Sequence, residues 1–136
     1  MQVANGRINR DYMILSRGIT KIHKLGDRTY ILSSGMFADY QNFWKLLDSR
    51  LSWYKMNHGT DLSSTAIASL VSRMLYEKRF FPFYSFNLVV GFDDEEKAVV
   101  WKYDAIGSYG KVTYGVDGTS KTFLLPFLDN QVEMTS

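Results

Sequence analysis

The spacing of apolar residues is most informative in residues 35–59, which read GMFADYQNFWKLLDSRLSWYKMNHG. Within this stretch apolar side chains recur at steps of three and four residues, as they do on one face of an α-helix. The members of this stripe are Met36, Tyr40, Phe43, Trp44, Leu47, Leu51 and Tyr54. Lys55 and His58 suit the negative end of the helix dipole, and Gly59 is typical of the residue just past a helix end. The pattern predicts an amphipathic helix that ends at Gly59.

A second helix is predicted directly after the first. Asp61 or Ser63 could accept hydrogen bonds from the free N–H groups at its start. Its apolar stripe comprises Ile67, Leu70, Val71, Met74 and Leu75. Because Pro82 cannot continue a helix, the second helix is expected to end before it.

Strand patterns lie on both sides of this helix pair. Upstream, side chains alternate over residues 12–16, and a turn at residues 26–28 precedes a β-rich run at residues 29–32 that ends at residues 33–35. Downstream, strands are predicted at residues 86–92, 98–103 and 111–114, and a last helix starts near Thr119 and Ser120. Pro126 is expected to kink or shorten that helix. The order of strands, two helices, strands and one helix predicts an α+β fold, with residues 1–136 forming a single domain.

Composition excludes several classes of function. A chain of 136 residues has room for one ordinary domain, and a net charge of +2 is too small to predict nucleic-acid binding. The absence of cysteine excludes disulfides, thiolate metal ligands and a cysteine nucleophile. Apolar runs fall short of the roughly 20 residues that cross a bilayer, and the start lacks a secretory signal. We therefore expect a soluble intracellular protein without metal or cofactor, and with neither nucleic acid nor membrane as a partner.

Individual motifs predict little chemistry. His23 and His58 have no nucleophile elbow nearby, and an exposed position and a helix end account for them. The acidic run at residues 93–96 lacks the ligand spacing of a calcium loop, and the glycine-rich residues 107–110 lack the rest of a phosphate loop. Residues 80–86, which read FFPFYSF, carry five aromatic side chains that cannot all be exposed cheaply. A core or subunit contact is therefore favoured there over a ligand-binding face.

Four segments carry a resemblance to a known family. They are RFFPFY at residues 79–84, NLVVGFD at 87–93, YDAIGSY at 103–109 and LDNQV at 128–132. Through them the chain resembles the beta subunits of the eukaryotic proteasome core, and within that family the non-catalytic subunit at the sixth beta position. The resemblance covers nearly the whole chain. It implies an α/β/β/α sandwich of the N-terminal nucleophile hydrolase type, with two antiparallel sheets between helical layers. This chain is expected to hold an incomplete version of that sandwich, truncated at both the N- and C-terminus.

The resemblance also implies which residues stand at the family's catalytic positions. Active members attack the peptide carbonyl with an N-terminal Thr, assisted by a Lys, an Asp that fixes the Lys, and a Gly whose N–H binds the oxyanion. Lys21 matches that Lys and Gly35 matches that Gly, whereas Asn5 falls where active members carry Asp. No residue matches the nucleophile, because the chain begins only a few residues before Asn5. We therefore expect degenerate positions, no catalytic residue and a structural role.

The partners implied by the resemblance are the other alpha and beta subunits of the proteasome core, in the cytoplasm and nucleus, where the core serves ubiquitin-dependent degradation. Desolvated aromatic side chains often anchor interfaces, so Phe80, Phe81, Phe83 and Tyr84 are candidate interface residues. Open sheet edges are expected to pair with other chains or through self-association. Two alternatives stay open: an active threonine peptidase subunit whose N-terminal Thr is missing from this sequence, and an unrelated α+β module that binds a small ligand or peptide.

Overall fold

The structure, a computed structural model, describes residues 2–10 and 12–132 of the chain. Within these ranges the elements are β1 (Ile8–Arg10), β2 (Met13–Ser16), β3 (Ile22–Gly26), β4 (Thr29–Gly35), α1 (Phe37–His58), α2 (Ser64–Glu77), β5 (Ser85–Phe92), β6 (Ala98–Tyr103), β7 (Tyr109–Val112) and α3 (Lys121–Gln131). This is the predicted order of strands, two helices, strands and one helix.

Several predicted boundaries need correction. The upstream alternation belongs to a hairpin of β1 and β2, and β4 continues through residues 33–35 because they pair with β5. The strand predicted at residues 111–114 spans Tyr109–Val112. Pro126 lies inside α3, and the helix continues past it to Gln131, so the proline does not shorten the helix as expected.

The helix ends follow the expected local chemistry. Ser63, rather than Asp61, precedes α2, and its Oγ accepts a hydrogen bond from the N–H of Ala66 at 3.2 Å. Gly59 ends α1 with φ of 69°, a left-handed conformation that glycine adopts without a steric penalty. Both helix ends were therefore readable from the sequence, because capping depends on side chains that lie next to the end.

The strands form two antiparallel sheets. The larger sheet has the order β3-β4-β5-β6-β7, and β1 pairs with β2 in a separate hairpin. Strands β3 and β7 are the edges of the larger sheet. In the part of the chain that the structure describes, no helix is both long and apolar enough to cross a membrane.

The core lies between the helix pair and one face of the larger sheet. Its fully or almost fully buried members include Ile31, Val89 and Trp101 from the sheet, Tyr40, Phe43 and Leu47 from α1, and Ile67, Val71 and Leu75 from α2. The side chains of β5 alternate between the two faces of the sheet, and its core-facing side carries the polar and small residues together with one valine: Ser85, Asn87, Val89 and Gly91. The apolar side, which includes Phe86, Val90 and Phe92, is half-buried on the opposite face.

Candidate functional site

Asn5 and Lys21 meet at the backbone of Arg7. The Lys21 ammonium Nζ donates to the carbonyl oxygen of Arg7 at 2.8 Å, and the side-chain oxygen of Asn5 accepts from the N–H of Arg7 at 3.0 Å. The carbonyl of Gly6 accepts from the N–H of Ile19 at 3.0 Å. These contacts attach the segment before β1 to the segment that leads into β3.

Gly35 lies at the end of β4, next to the start of α1. Its φ is 112°, a conformation that residues with a Cβ rarely adopt, and a Cβ at this position would clash with the carbonyl oxygen of Tyr84. The same carbonyl accepts from the N–H of Met36 at 2.8 Å, and the N–H of Tyr84 donates to Asp39 at 2.8 Å. Close backbone packing between the ends of β4 and β5 is therefore enough to require glycine here.

The structure brings Lys21 and Gly35 onto adjacent chain segments. The carbonyl of Lys21 accepts from the N–H of Ser33 at 3.0 Å, two residues before Gly35. In this arrangement the Lys21 ammonium binds the Arg7 carbonyl, next to the neutral side-chain amide of Asn5. Because Asn5 carries no charge, the arrangement has a lysine but lacks the carboxylate that an acid–base pair would need.

A buried polar network lies beside this site, and we call it the Asn87 network: Ser33, Trp44, Ser85 and Asn87. The indole N–H of Trp44 donates to Ser33 Oγ at 2.9 Å, and the hydroxyls of Ser33 and Ser85 donate to Asn87 Oδ1 at 2.7 and 2.9 Å. All four side chains are buried, so the network joins α1 to β4 and β5 through the core. The network was not predicted from the sequence. Its only signal was the polar character of alternate residues in β4 and β5.

The two histidines occupy structural positions. His23 was expected to be exposed, but its Nε2 lies 2.9 Å from the Asp48 carboxylate and its ring stacks on Trp44 with centroids 5.0 Å apart. This contact joins β3 to α1. His58 lies at the end of α1, as predicted, with its Nδ1 3.2 Å from the carbonyl of Tyr54. Among the residues in the described ranges, no group of three acidic or histidine side chains could hold a metal ion.

The candidate interface residues differ greatly in exposure. Phe80 and Phe81 are 87% and 90% exposed, and Tyr84 is 61% exposed. Phe83 is half-buried and packs against Phe43 of the core, with ring centroids 5.5 Å apart. The turn after α2 thus directs Phe83 inward, and Phe80, Phe81 and Tyr84 remain at the surface.

Comparison with known proteins places these features in a family. The family model described as "Proteasome subunit" matches residues 2–136. The chain is 47% identical over 133 residues to proteasome subunit beta type-1 of Arabidopsis thaliana, and the match covers 98% of this chain and 60% of the relative. The corresponding protein of Petunia hybrida is 44% identical over 133 residues, with the same coverage, and that of Dictyostelium discoideum is 43% identical over 121 residues, or 89% of this chain and 51% of the relative.

The chain therefore spans about 60% of the length of the first two relatives and about half of the third. The α+β architecture with two antiparallel sheets and covering helices agrees with the sandwich fold that the resemblance implied, so the predicted fold class is confirmed. The match to the family model extends over almost every residue and includes Asn5, Lys21 and Gly35. By its sequence and its fold, this chain belongs to the proteasome subunit family.

Proposed function

We propose that this chain serves as a non-catalytic beta subunit of the proteasome core particle and contributes to ring assembly. The three relatives described above, which match it over 89–98% of its length, are named proteasome subunit beta type-1. The observation that carries the non-catalytic part of the proposal is the neutral Asn5, with the Lys21 ammonium bonded to the Arg7 carbonyl. In this role the chain acts within ubiquitin-dependent degradation, in the cytoplasm and nucleus.

The hydrogen bonds explain how a lysine at a catalytic family position can have a structural role. A carboxylate at position 5 would offer a charged partner to Lys21 and hold its ammonium in place. The Asn5 side chain instead accepts from the Arg7 N–H, and Lys21 binds the carbonyl of the same residue. Lys21 therefore stabilises the segment before β1 rather than a reacting group. Gly35 is likewise accounted for by its contact with Tyr84.

The proposed partners are the other alpha and beta subunits of the core. Exposed aromatic side chains are the residue type most often found at the energetic centre of interfaces, which supports Phe80, Phe81 and Tyr84 as contact residues. Phe83 is not included, because it packs in the core. The open edges β3 and β7 offer unpaired backbone groups, which supports a second mode of contact with other chains or with another copy of this one.

The experiment is covalent labelling of an assembled particle. The complete gene product that contains this chain would be co-expressed with the other alpha and beta subunits, and the purified particle treated with a peptide epoxyketone that reacts with N-terminal threonine. Intact-mass analysis should find this chain in the particle without an adduct, and the catalytic subunits of the same particle, which serve as the internal control, with one. An adduct on this chain would decide for the alternative of an active threonine peptidase subunit.

A further inference from the structure

A preorganised arginine lies at the end of α2, in a surface that we call the Arg79 patch: Tyr76, Lys78, Arg79, Phe80 and Phe81. The Arg79 guanidinium lies over the Tyr76 ring at 4.9 Å and over the Phe80 ring at 4.4 Å from each centroid. One of its N–H groups donates to the Tyr76 hydroxyl. Contact with two rings restricts the side chain, so less conformational entropy remains to be lost when it binds a partner.

The backbone under this patch is also fixed. The N–H of Arg79 donates to the carbonyl of Tyr76 at 3.1 Å, and that of Phe81 to the carbonyl of Lys78 at 3.0 Å. These bonds extend the last turn of α2 into a tight turn that presents Phe80 and Phe81 to solvent. The patch therefore offers two almost fully exposed aromatic rings on a rigid support.

The charge of the patch is not balanced locally. Within residues 2–10 and 12–132, neither Lys78 nor Arg79 has a carboxylate within ion-pair distance. The nearby Glu77 is bound by Arg50 of α1 at 2.9 Å. A guanidinium carries N–H donors in a planar fork that matches a carboxylate, so the free edge of Arg79 is suited to an acidic side chain.

We infer that the Arg79 patch binds an acidic, apolar segment of a different subunit. A carboxylate of that segment pairs with Arg79, and neighbouring apolar side chains cover Phe80 and Phe81. This inference rests on the proposed function, because it names the kind of partner that the interface takes. A second copy of this chain is a poorer fit: in its own acidic run three of the four carboxylates, those of Asp93, Glu95 and Glu96, are already paired with Lys111, Lys97 and Arg28.

Site-specific photocrosslinking in the assembled core particle tests the inference. Phe81→p-benzoylphenylalanine places a photoreactive ring at the most exposed aromatic position of the patch, and mass spectrometry identifies the crosslinked peptide. We expect one predominant crosslink, to a different subunit, with an Asp or Glu within about four residues of the crosslinked position. The matched control is Trp53→p-benzoylphenylalanine on the exposed side of α1, where the same crosslink should not form.

The outcomes separate the inference from the proposed function. Three outcomes in a particle that contains the chain overturn the inference and leave the proposed function in place. They are no crosslink from position 81, a crosslink to a segment without acidic residues, and a crosslink to a second copy of this chain. If the chain with wild-type sequence never enters the particle, the proposed function itself is overturned.

Competition for incorporation tests the contribution of Arg79 separately. When a variant and the wild-type chain are co-expressed with different tags, Arg79→Gln should be under-represented in the particle by about tenfold, because the charge-assisted hydrogen bonds are lost. Arg79→Lys keeps the charge but not the planar fork, so its loss should be smaller, about threefold. Arg73→Gln, at an exposed arginine within α2, is the control and should compete equally. Equal incorporation of Arg79→Gln and wild type would overturn the role of Arg79.

Discussion

The Asn87 network and the Arg79 patch use the same kinds of groups in opposite ways. Both combine aromatic rings with polar side chains at the junctions between helices and β5. In the Asn87 network the donors of Ser33, Trp44 and Ser85 all have acceptors inside the core. In the Arg79 patch the rings are exposed, and within the described part of the chain the cation has no carboxylate partner. The difference indicates that the first region specifies the fold and the second is available to a partner.

The largest effect is expected from Asn87→Leu, which removes the acceptor at the centre of the network. The O–H donors of Ser33 and Ser85 would be left buried without an acceptor, and each unsatisfied donor is costly. We expect the free energy of unfolding to fall by about 3 kcal/mol, measured by urea denaturation. Asn42→Ala, at an exposed position of α1, should change it by less than about 0.5 kcal/mol. Similar effects of both variants would contradict the network's importance.

Gly35→Ala tests the strained junction next to the network. A methyl group would meet the Tyr84 carbonyl, and a φ of 112° disfavours any residue except glycine. We expect a loss of about 2 kcal/mol in the free energy of unfolding. Gly18→Ala is the matched control, because a Cβ at Gly18 has no neighbour within 4 Å and should be tolerated. If Gly35→Ala were as stable as wild type, the steric explanation for this glycine would fail.

A smaller effect is expected at Asp117, where a polar group is buried without full compensation. Burial raises the pKa of this carboxyl, and the nearby cations Lys102 and Lys121 only partly offset the shift. One carboxylate oxygen, Oδ2, is buried without a hydrogen-bond partner among the described residues. Asp117 therefore differs from the Asn87 network, in which the buried acceptor is used.

The sign of the pH dependence of stability follows from the raised pKa of Asp117. Because the folded state binds the proton more tightly than the unfolded state, the free energy of unfolding should fall as pH rises from the ordinary Asp pKa through the raised one. Asp117→Asn should abolish this component and should stabilise the chain by about 1 kcal/mol at neutral pH. Thermal unfolding between pH 3 and 8 measures both. A stability profile of the variant that runs parallel to that of wild type would contradict the assignment.

The smallest effect on stability is expected in the Arg79 patch. Phe81 is 90% exposed, so Phe81→Ala should change the free energy of unfolding by less than about 0.5 kcal/mol. Phe83→Ala, two residues away, removes a ring that packs on Phe43 and should cost about 2 kcal/mol. Equal losses from the two variants in chemical denaturation would mean that Phe81 also belongs to the core, and the distinction between the two regions would collapse.

Local patterns allowed much of the secondary structure to be predicted from the sequence. The end of α1 and the start of α2 depend on adjacent residues: Gly59 was predicted at the first, and Asp61 or Ser63 at the second, where the structure has Ser63. The end of β4 was not predicted correctly, because residues 33–35 have weak strand propensity and are held extended by pairing with β5. Likewise, α3 continues through Pro126, although a proline in a helix interior is locally unfavourable.

The candidate site also has features that could be predicted from the sequence and features that could not. Resemblance located Asn5, Lys21 and Gly35, but the bond from Lys21 to the Arg7 carbonyl joins residues 14 positions apart and depends on how the two segments are arranged. The aromatic run at residues 80–86 was identified as a whole, yet only the structure distinguishes the half-buried Phe83 from the exposed Phe80 and Phe81. Periodicity cannot make this distinction, because in a turn the direction of each side chain follows no fixed period.

By itself, the sequence determined the α+β class, the helix pair with its caps, and membership of the proteasome subunit family, since periodicity, capping chemistry and family motifs are properties of neighbouring residues. Only the three-dimensional structure decided that the side of β5 with Ser85, Asn87 and Val89 faces the core, and that Arg79 is held between two rings. The first depends on a distant group, because Ser33 of β4 donates to Asn87 across the sheet. The second depends on the conformation of the turn after α2, which sets where the rings of Tyr76 and Phe80 lie around Arg79.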